Sequence, residues 1–251
     1  MRIGLIGAGN LAGALARGWR EPVICTDSGS GRARRLVAEL GGGEALGSNR
    51  ELAERVDAVV LCHKPAGLAA VAQELAGWTG TVVSTLGGVG LKALRAAYPD
   101  AELARAIPNT PVAVRAGVIG WTADPGLPAD REQALRERFE RLGHVVVLPE
   151  ALLDVATGLS GVGPAYLAVV AEAMADAGIR DGLPAPLASE IVAATMAGTG
   201  ALLQTREGDT LAVRREVTSP GGITARGLAA LEQAGLRAAF LAAADAIAAP
   251  R

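Results

Sequence analysis

Cysteine, histidine and aromatic side chains are scarce in this chain of 251 residues. There are two cysteines, two histidines and 3% aromatics. Cys25 and Cys62 are too few for a disulfide framework or a zinc site, and they suit a reducing compartment; no metal site is expected. With so few rings, the core must be built from Ala, Leu and Val, in a chain that is half apolar. The net charge of −2 includes no basic block, which argues against a nucleic-acid surface. No apolar run reaches the roughly 20 residues that span a bilayer. The N-terminal run that faintly imitates a secretory signal is broken by Gly4, Gly7, Gly9 and Asn10. A cytoplasmic protein without a membrane partner is therefore expected. Arginine greatly outnumbers lysine, and residues 151–251 hold no lysine, histidine or cysteine. Hydroxyls and carboxyls are the side-chain proton donors left in that half.

What is present begins at Ile3-Gly4-Leu5-Ile6, an apolar run leading into Gly7-Ala8-Gly9-Asn10-Leu11-Ala12 and then into helical spacing. Strand, tight glycine turn and helix in that order are what a dinucleotide pyrophosphate requires, and they mark Gly7, Gly9, Asn10 and Leu11 as its seat. A second run, Val23 to Thr26, ends at Asp27. An acid there ordinarily bonds the ribose hydroxyls of NAD and repels the 2′-phosphate of NADP. Ser28, Ser30 and Arg32 follow at once and suit a phosphate, so the choice of cofactor stays open.

Strand-like and helix-like runs alternate to about residue 150. They include strands at 58–62, 81–84, 103–107, 118–121 and 145–148, with helices at 65–75 and 130–142. This is a Rossmann-type, doubly wound α/β pattern. Beyond Pro149 strand signals vanish, and alanine-rich helices are expected at 164–177, 186–203 and 224–249. These are apolar on most sides, and about one hundred residues cannot cover them alone, so the helical half is expected to dimerise. The expected organisation is a dinucleotide-binding domain over residues 1–150 and an all-α dimerisation and substrate domain over 151–251.

Four loop motifs carry polar chemistry. Lys64-Pro65 follows a strand at the carboxyl edge, where open α/β sheets bind ligands. Pro108-Asn109-Thr110-Pro111 holds Asn109 in an extended loop at the same kind of edge. Gly158 to Tyr166, with Ser160, Gly161, Val162 and Gly163 at its centre, reads as a glycine-rich helix entrance. Val217-Thr218-Ser219-Pro220-Gly221-Gly222-Ile223-Thr224 is a second one, whose hydroxyls and uncovered N–H groups suit a carboxylate or phosphate. Each has a plainer reading as a cap or a proline turn.

Taken together and in order, these motifs resemble pyrroline-5-carboxylate reductase over nearly the whole chain. They are G-x-G-N-x-A at Gly7 to Ala12, K-P at Lys64-Pro65, I-P-N-T-P at Ile107 to Pro111, L-S-G-x-G-P-A-Y at Leu159 to Tyr166 and T-S-P-G-G-x-T at Thr218 to Thr224. The resemblance implies reduction of (S)-1-pyrroline-5-carboxylate to L-proline with NADPH, NADH also being possible. It implies a helical domain that joins a second copy, as a dimer or a ring of dimers. It places the substrate at Ser160 to Gly163 and at Thr218, Ser219, Pro220, Gly221, Gly222 and Thr224. Ser219 to Gly222 would hold the carboxylate, and Thr224 would bond the ring nitrogen and assist protonation. Gly7, Gly9, Asn10, Leu11, Asp27, Ser28, Arg32, Lys64, Pro65 and Asn109 would attend the cofactor.

Several positions depart from the family pattern. Val162 stands where a small polar residue is common, Ile223 replaces a common Thr or Ala, and Cys62-His63 replaces Ala-Val. Asp27 stands where Asn, Ser or Arg often accepts the NADP phosphate. His63 is assigned a structural or cofactor-edge role. Two other classes compete. A β-hydroxyacid reductase would be expected to carry a lysine on a core helix of its second domain, and none is there. A non-catalytic nucleotide sensor would bind reduced nicotinamide without reducing an imine.

Overall fold

Strand β1 (Ile3–Ile6) opens an eight-stranded sheet, followed in chain order by β2 (Val23–Thr26), β3 (Gly43–Leu46), β4 (Ala58–Leu61), β5 (Thr81–Ser84), β6 (Glu102–Pro108), β7 (Gly117–Ala123) and β8 (Gly143–Val147). The computed structural model describes residues 1–248. The strand order is β3-β2-β1-β4-β5-β6-β7-β8, parallel except where β7 runs against β6. Both faces are apolar because alternate residues serve different layers. Leu5, Val60 and Val83 join one cluster with Leu15, Trp19, Trp121 and Phe139. Ile6, Val59, Leu61 and Val82 join the other with Leu52, Leu94 and Leu103. A sheet buried on both faces needs helices on both, which is the doubly wound arrangement the sequence predicts.

Those helices are α1 (Asn10–Trp19), α2 (Arg32–Leu40), α3 (Asn49–Glu54), α4 (Leu68–Glu74), α5 (Leu91–Ala97) and α6 (Ala129–Glu140). Three of the seven aromatics meet at one place: Phe139 lies 5.7 Å from Trp19 and 5.6 Å from Trp121, edge-on and tilted. Both indoles are buried, and each donates its N–H, Trp19 to the Arg138 carbonyl and Trp121 to Glu132. Strand β3 has no counterpart among the expected strands. Its sequence, Gly-Glu-Ala-Leu, lies at the sheet edge and lacks an apolar run.

Next comes α7 (Glu150–Ser160), then α8 (Gly163–Arg180), α9 (Ala185–Thr205), α10 (Thr210–Glu216), α11 (Ile223–Gln233) and α12 (Leu236–Ala248). The chain divides into two compact units, Met1–Pro164 and Ala165–Arg251. The division falls beyond residue 150 because α7 is seated on the sheet, with Leu153 fully buried over Gly120. The segment read as a glycine-rich helix entrance therefore begins inside a helix: Gly158 to Ser160 complete α7, and Gly161 is its C-cap.

The single helix expected over 224–249 is two. Gly235 adopts φ +81° between α11 and α12, a left-handed turn that ends an otherwise alanine-rich run. Ala249, the last residue of that expected helix, lies outside the described residues. Among the described residues of the second unit, Ala175, Ala188 and Val192 form a small buried cluster and Val213 is buried apart from it. Leu167, Val169, Met174, Leu187 and Ile191 are exposed. Glu150–Arg180 and Ala185–Thr205 are helical stretches long and apolar enough, by length and composition, to cross a membrane. The expectation that no run reaches that length is corrected here: alanines with interspersed Leu, Val and Ile carry the hydropathy across scattered polar residues that break up any uninterrupted apolar run.

Candidate active site

The dinucleotide turn is built by two glycines doing different work. Gly7 has φ +103°, and a Cβ there would stand 2.9 Å from the backbone of Cys62 and His63. Its N–H donates to the Thr26 carbonyl at 3.1 Å, tying the β1 end to the β2 end. Gly9, the N-cap of α1, is extended, and a Cβ there would enter open space. No side chain caps α1, so its first-turn N–H groups face outward with the positive end of the helix. An open cradle at an uncapped helix start fits a pyrophosphate. Asn10 and Leu11 sit on that first turn.

At the end of β2, Asp27 is engaged by its own loop. One carboxylate oxygen accepts from Gly29 N–H and the other from Ala33 N–H, both at 2.7 Å. The Ala33 N–H, followed by the Gly29 N–H, the Ser30 hydroxyl and the Arg32 N–H, holds the Asp27 carboxyl below its ordinary pKa. Gly29 and Gly31 have φ of +86° and +71°, and Ser28, Ser30 and Arg32 are exposed around the turn. Asp27 therefore acts as a remote cap on α2. We expect Asp27→Ala to weaken NADPH and NADH together, by loosening this loop, with their affinity ratio little changed. Fluorescence titration of both cofactors checks this; selective gain of NADPH would mean that Asp27 repels its phosphate. Since the folded-state pKa is depressed, the carboxylate's contribution is complete above the unfolded value of about 4. It is lost as pH falls through the lower folded value.

The carboxyl edge continues at β4. Lys64 is extended and exposed, and Pro65 starts the short 3-10 turn Pro65–Gly67. His63 Nδ1 lies 2.8 Å from the Lys64 carbonyl, so Nδ1 must carry the proton there, and the buried Nε2 has no partner. The sequence places both cysteines in buried strands. Cys25 is in β2, whereas Cys62 lies one residue beyond β4. Burial pushes the Cys25 thiol up to about 11 and the Cys62 thiol up to about 12, which leaves neither nucleophilic near neutrality. At the end of β5 the exposed pair Gly87-Gly88 also opens the edge, Gly88 with φ +74°. The glycine pair that follows the strand Thr81–Ser84 after Thr85 and Leu86 is the signal that would have marked it.

Asn109 follows β6. Its Oδ1 accepts the Val118 N–H at 2.8 Å, and its Nδ2 donates to the Ser160 carbonyl at 3.0 Å. These partners fix the amide orientation, since an N–H can only donate and a carbonyl can only accept. Asn109 thus joins the β6 edge to the turn of Gly161 and Val162. Ser160 Oγ itself donates back to the Ala156 carbonyl at 3.1 Å.

In the second unit, Thr218 Oγ1 donates to the Arg214 carbonyl at 2.6 Å and closes α10. Gly221 turns with φ +72°, and Gly222 N–H reaches the Ser219 carbonyl at 3.0 Å. Gly222 is the N-cap of α11, no side chain caps that helix, and Ser219 Oγ stands where a Gly222 Cβ would fall, 2.3 Å away. A hydroxyl beside uncovered N–H groups is a receptor for a carboxylate. Ser219, Pro220 and Gly221 are exposed, and Thr224 is half-buried in the first turn of α11.

Comparison with known proteins agrees with both halves. A sequence profile described as pyrroline-5-carboxylate reductase dimerisation matches residues 150–250. One described as NADP oxidoreductase, coenzyme F420-dependent, matches residues 2–88. The pyrroline-5-carboxylate reductase of Synechocystis is 35% identical, over 96% of this chain and 93% of its own. The chain belongs to the pyrroline-5-carboxylate reductase family. The Thermus thermophilus member is 36% identical, covering 98% of this chain and 95% of its own. Among solved structures, the Streptococcus pyogenes reductase superposes with a TM-score of 0.87 at 28% identity, over 98% of this chain and 95% of its own. The Plasmodium falciparum reductase, solved with NADP bound, gives 0.86 at 25% over the same shares. Membership in this family explains the exposed apolar helices of the second unit, which belong to a region that joins subunits.

Proposed function

We propose that this chain reduces the C=N bond of (S)-1-pyrroline-5-carboxylate to give L-proline, with NADPH as the preferred reductant and NADH accepted. The observation that carries this reading is kinship extending through both the cofactor half and the helical half, at 35% identity over 96% of the chain. The cofactor supplies a hydride to carbon when bound. The chain's own residues orient the imine, neutralise its carboxylate and keep a proton on nitrogen. Gly7, Gly9, Asn10 and Leu11 take the pyrophosphate. Asp27, Ser28 and Arg32 shape the adenosine end, and Lys64, Pro65 and Asn109 lie on the edge toward the nicotinamide.

Ser219, with the N–H of Gly221 and those at the α11 start, holds the substrate carboxylate; Thr218, Pro220 and Gly222, whose own N–H is taken by the Ser219 carbonyl, set that turn. Ser160, Gly161, Val162 and Gly163 line the substrate from the end of α7. Thr224 bonds the ring nitrogen. A threonine hydroxyl is too weak an acid to protonate an imine by itself, so it accepts a hydrogen bond from the N–H of an imine that arrives protonated. No lysine or histidine in residues 151–251 competes for that role, which disfavours a β-hydroxyacid reductase. The apolar helices are covered by a second copy rather than by lipid. Assembly of such dimers into rings, a cytoplasmic location and the absence of nucleic-acid partners belong to the same reading.

The test is to mix the protein with pyrroline-5-carboxylate and follow NADPH and NADH oxidation in parallel. Loss of reduced cofactor matched by proline is expected, faster with NADPH. Cofactor binding without turnover would leave a sensor or a different imine substrate.

A further inference from the structure

Strand β6 holds both ends of α7, and that arrangement has a bearing on catalysis. Arg105, on β6, is buried, with 2% of its side chain exposed. Its guanidinium reaches Glu150 at 3.2 Å and Asp154 at 3.0 Å, the first turn of α7 and the next. Glu150 Oε1 also accepts the N–H of Leu91, the first residue of α5, so one carboxylate caps α5 while anchoring α7. Four residues along the same strand sequence, Asn109 takes the Ser160 carbonyl. That carbonyl ends α7 and has no partner within the helix.

The spacings agree. Four strand residues span about 13 Å, and the eight helical residues from the Glu150–Asp154 pair to Ser160 span about 12 Å. Within the first anchor, between Glu150 and Asp154, Leu153 enters the space left by Gly120 of β7, where a Cβ would come within 2.6 Å of it. Helix α7 therefore runs along β6 in the same direction and is fixed over its first half and at its end.

We propose that Arg105 and Asn109 are positioning residues of the reductase. Through α7 they set where the Ser160–Gly163 turn stands against the carboxyl edge of the sheet. The inference rests on the substrate reading given above, which places that turn at the substrate. It also implies that the turn moves with the cofactor sheet, since Ser160 to Gly163 lie in the first compact unit and Thr218 to Thr224 in the second. A buried arginine with two carboxylates gives direction to a helix that a hydrophobic seat alone would let slide, because the paired geometry is satisfied in one register.

Three variants test this. Asn109→Asp keeps the size of the side chain and the acceptor for Val118, and replaces only the donor to Ser160 by an acceptor. Arg105→Lys keeps the charge but cannot fork between two carboxylates, and Arg105→Met removes both. For Asn109→Asp we expect kcat/KM for pyrroline-5-carboxylate to fall about fivefold to tenfold, as loss of one hydrogen bond with an orphaned partner gives. KM for NADPH should be unchanged in Arg105→Lys, whose site lies outside the residues assigned to the cofactor. Amide hydrogen exchange of Gly161 to Gly163 should quicken while that of β4 and β5 does not. Arg105→Lys should fall between wild type and Arg105→Met on both readouts.

Unchanged exchange at the turn in Asn109→Asp overturns the clamp. Faster exchange with wild-type kcat/KM overturns its catalytic role, as does a parallel rise of both KM values with a lowered melting temperature. Wild-type protein that fails to reduce the imine counts against the substrate reading, and exchange at the turn still decides the clamp.

Discussion

Gly7→Ala is expected to abolish usable cofactor binding and to lower the melting temperature. The φ of +103° lies where an L side chain is strained, at a cost of about 1–3 kcal/mol. The new Cβ would also press on the backbone of Cys62 and His63 at 2.9 Å. That backbone is not free to retreat: Cys62 N–H donates to the Ile6 carbonyl at 2.8 Å, inside the sheet. The turn must open instead, and it opens at the place that receives the pyrophosphate. Titration of NADPH fluorescence should show a loss of affinity of at least about tenfold, which is 1.4 kcal/mol. A variant that binds NADPH as wild type does would show that the turn tolerates a side chain and that the pyrophosphate sits elsewhere. Gly9→Ala is the natural control, since its Cβ meets nothing in the protein; any effect there reports on the ligand.

Thr224→Ala should divide differently. Thr224 lies on the first turn of α11, in the second unit, and no part of the dinucleotide turn depends on it. A hydrogen bond to a charged group is worth about 1.5–3 kcal/mol. Removing it from a protonated imine should lower kcat/KM about tenfold to a hundredfold, leaving NADPH affinity unchanged. Steady-state kinetics with the imine varied, together with NADPH titration, separates the two. Unchanged turnover would remove Thr224 from the mechanism. Thr224→Ser, which keeps the hydroxyl, should recover most of the loss.

The parts of this molecule that were readable from sequence are those whose chemistry is local. A pyrophosphate at a strand–turn–helix junction requires small residues at fixed spacing, so Gly7 and Gly9 announce themselves. Buried parallel strands such as Ala58–Leu61 and Thr81–Ser84 are apolar on both faces and stand out as runs. What escaped depends on partners distant along the chain. Helix α7 is seated by Arg105, 45 residues before Glu150, and no local pattern links them. Asp27 has the residue type of a ribose ligand, yet six residues on, the Ala33 N–H claims it. Gly235 breaks a helix among alanines because its left-handed turn outweighs the propensity around it. Edge strand β3 is covered by few neighbours and needs no apolar signature.

The uncovered faces of α8 and α9 have a consequence for how firmly the chain is folded. Leu167, Val169, Leu187 and Ile191 are exposed in the single chain, within the region that matches the dimerisation profile, so on the proposed reading their burial is gained by association. Burial gained by association enters the folding free energy through mass action, so the stability of each molecule rises with the logarithm of its abundance. Scarcity alone, with no change in sequence or temperature, therefore weakens the fold, and a poorly expressed pool of this chain is less stable molecule for molecule than a plentiful one.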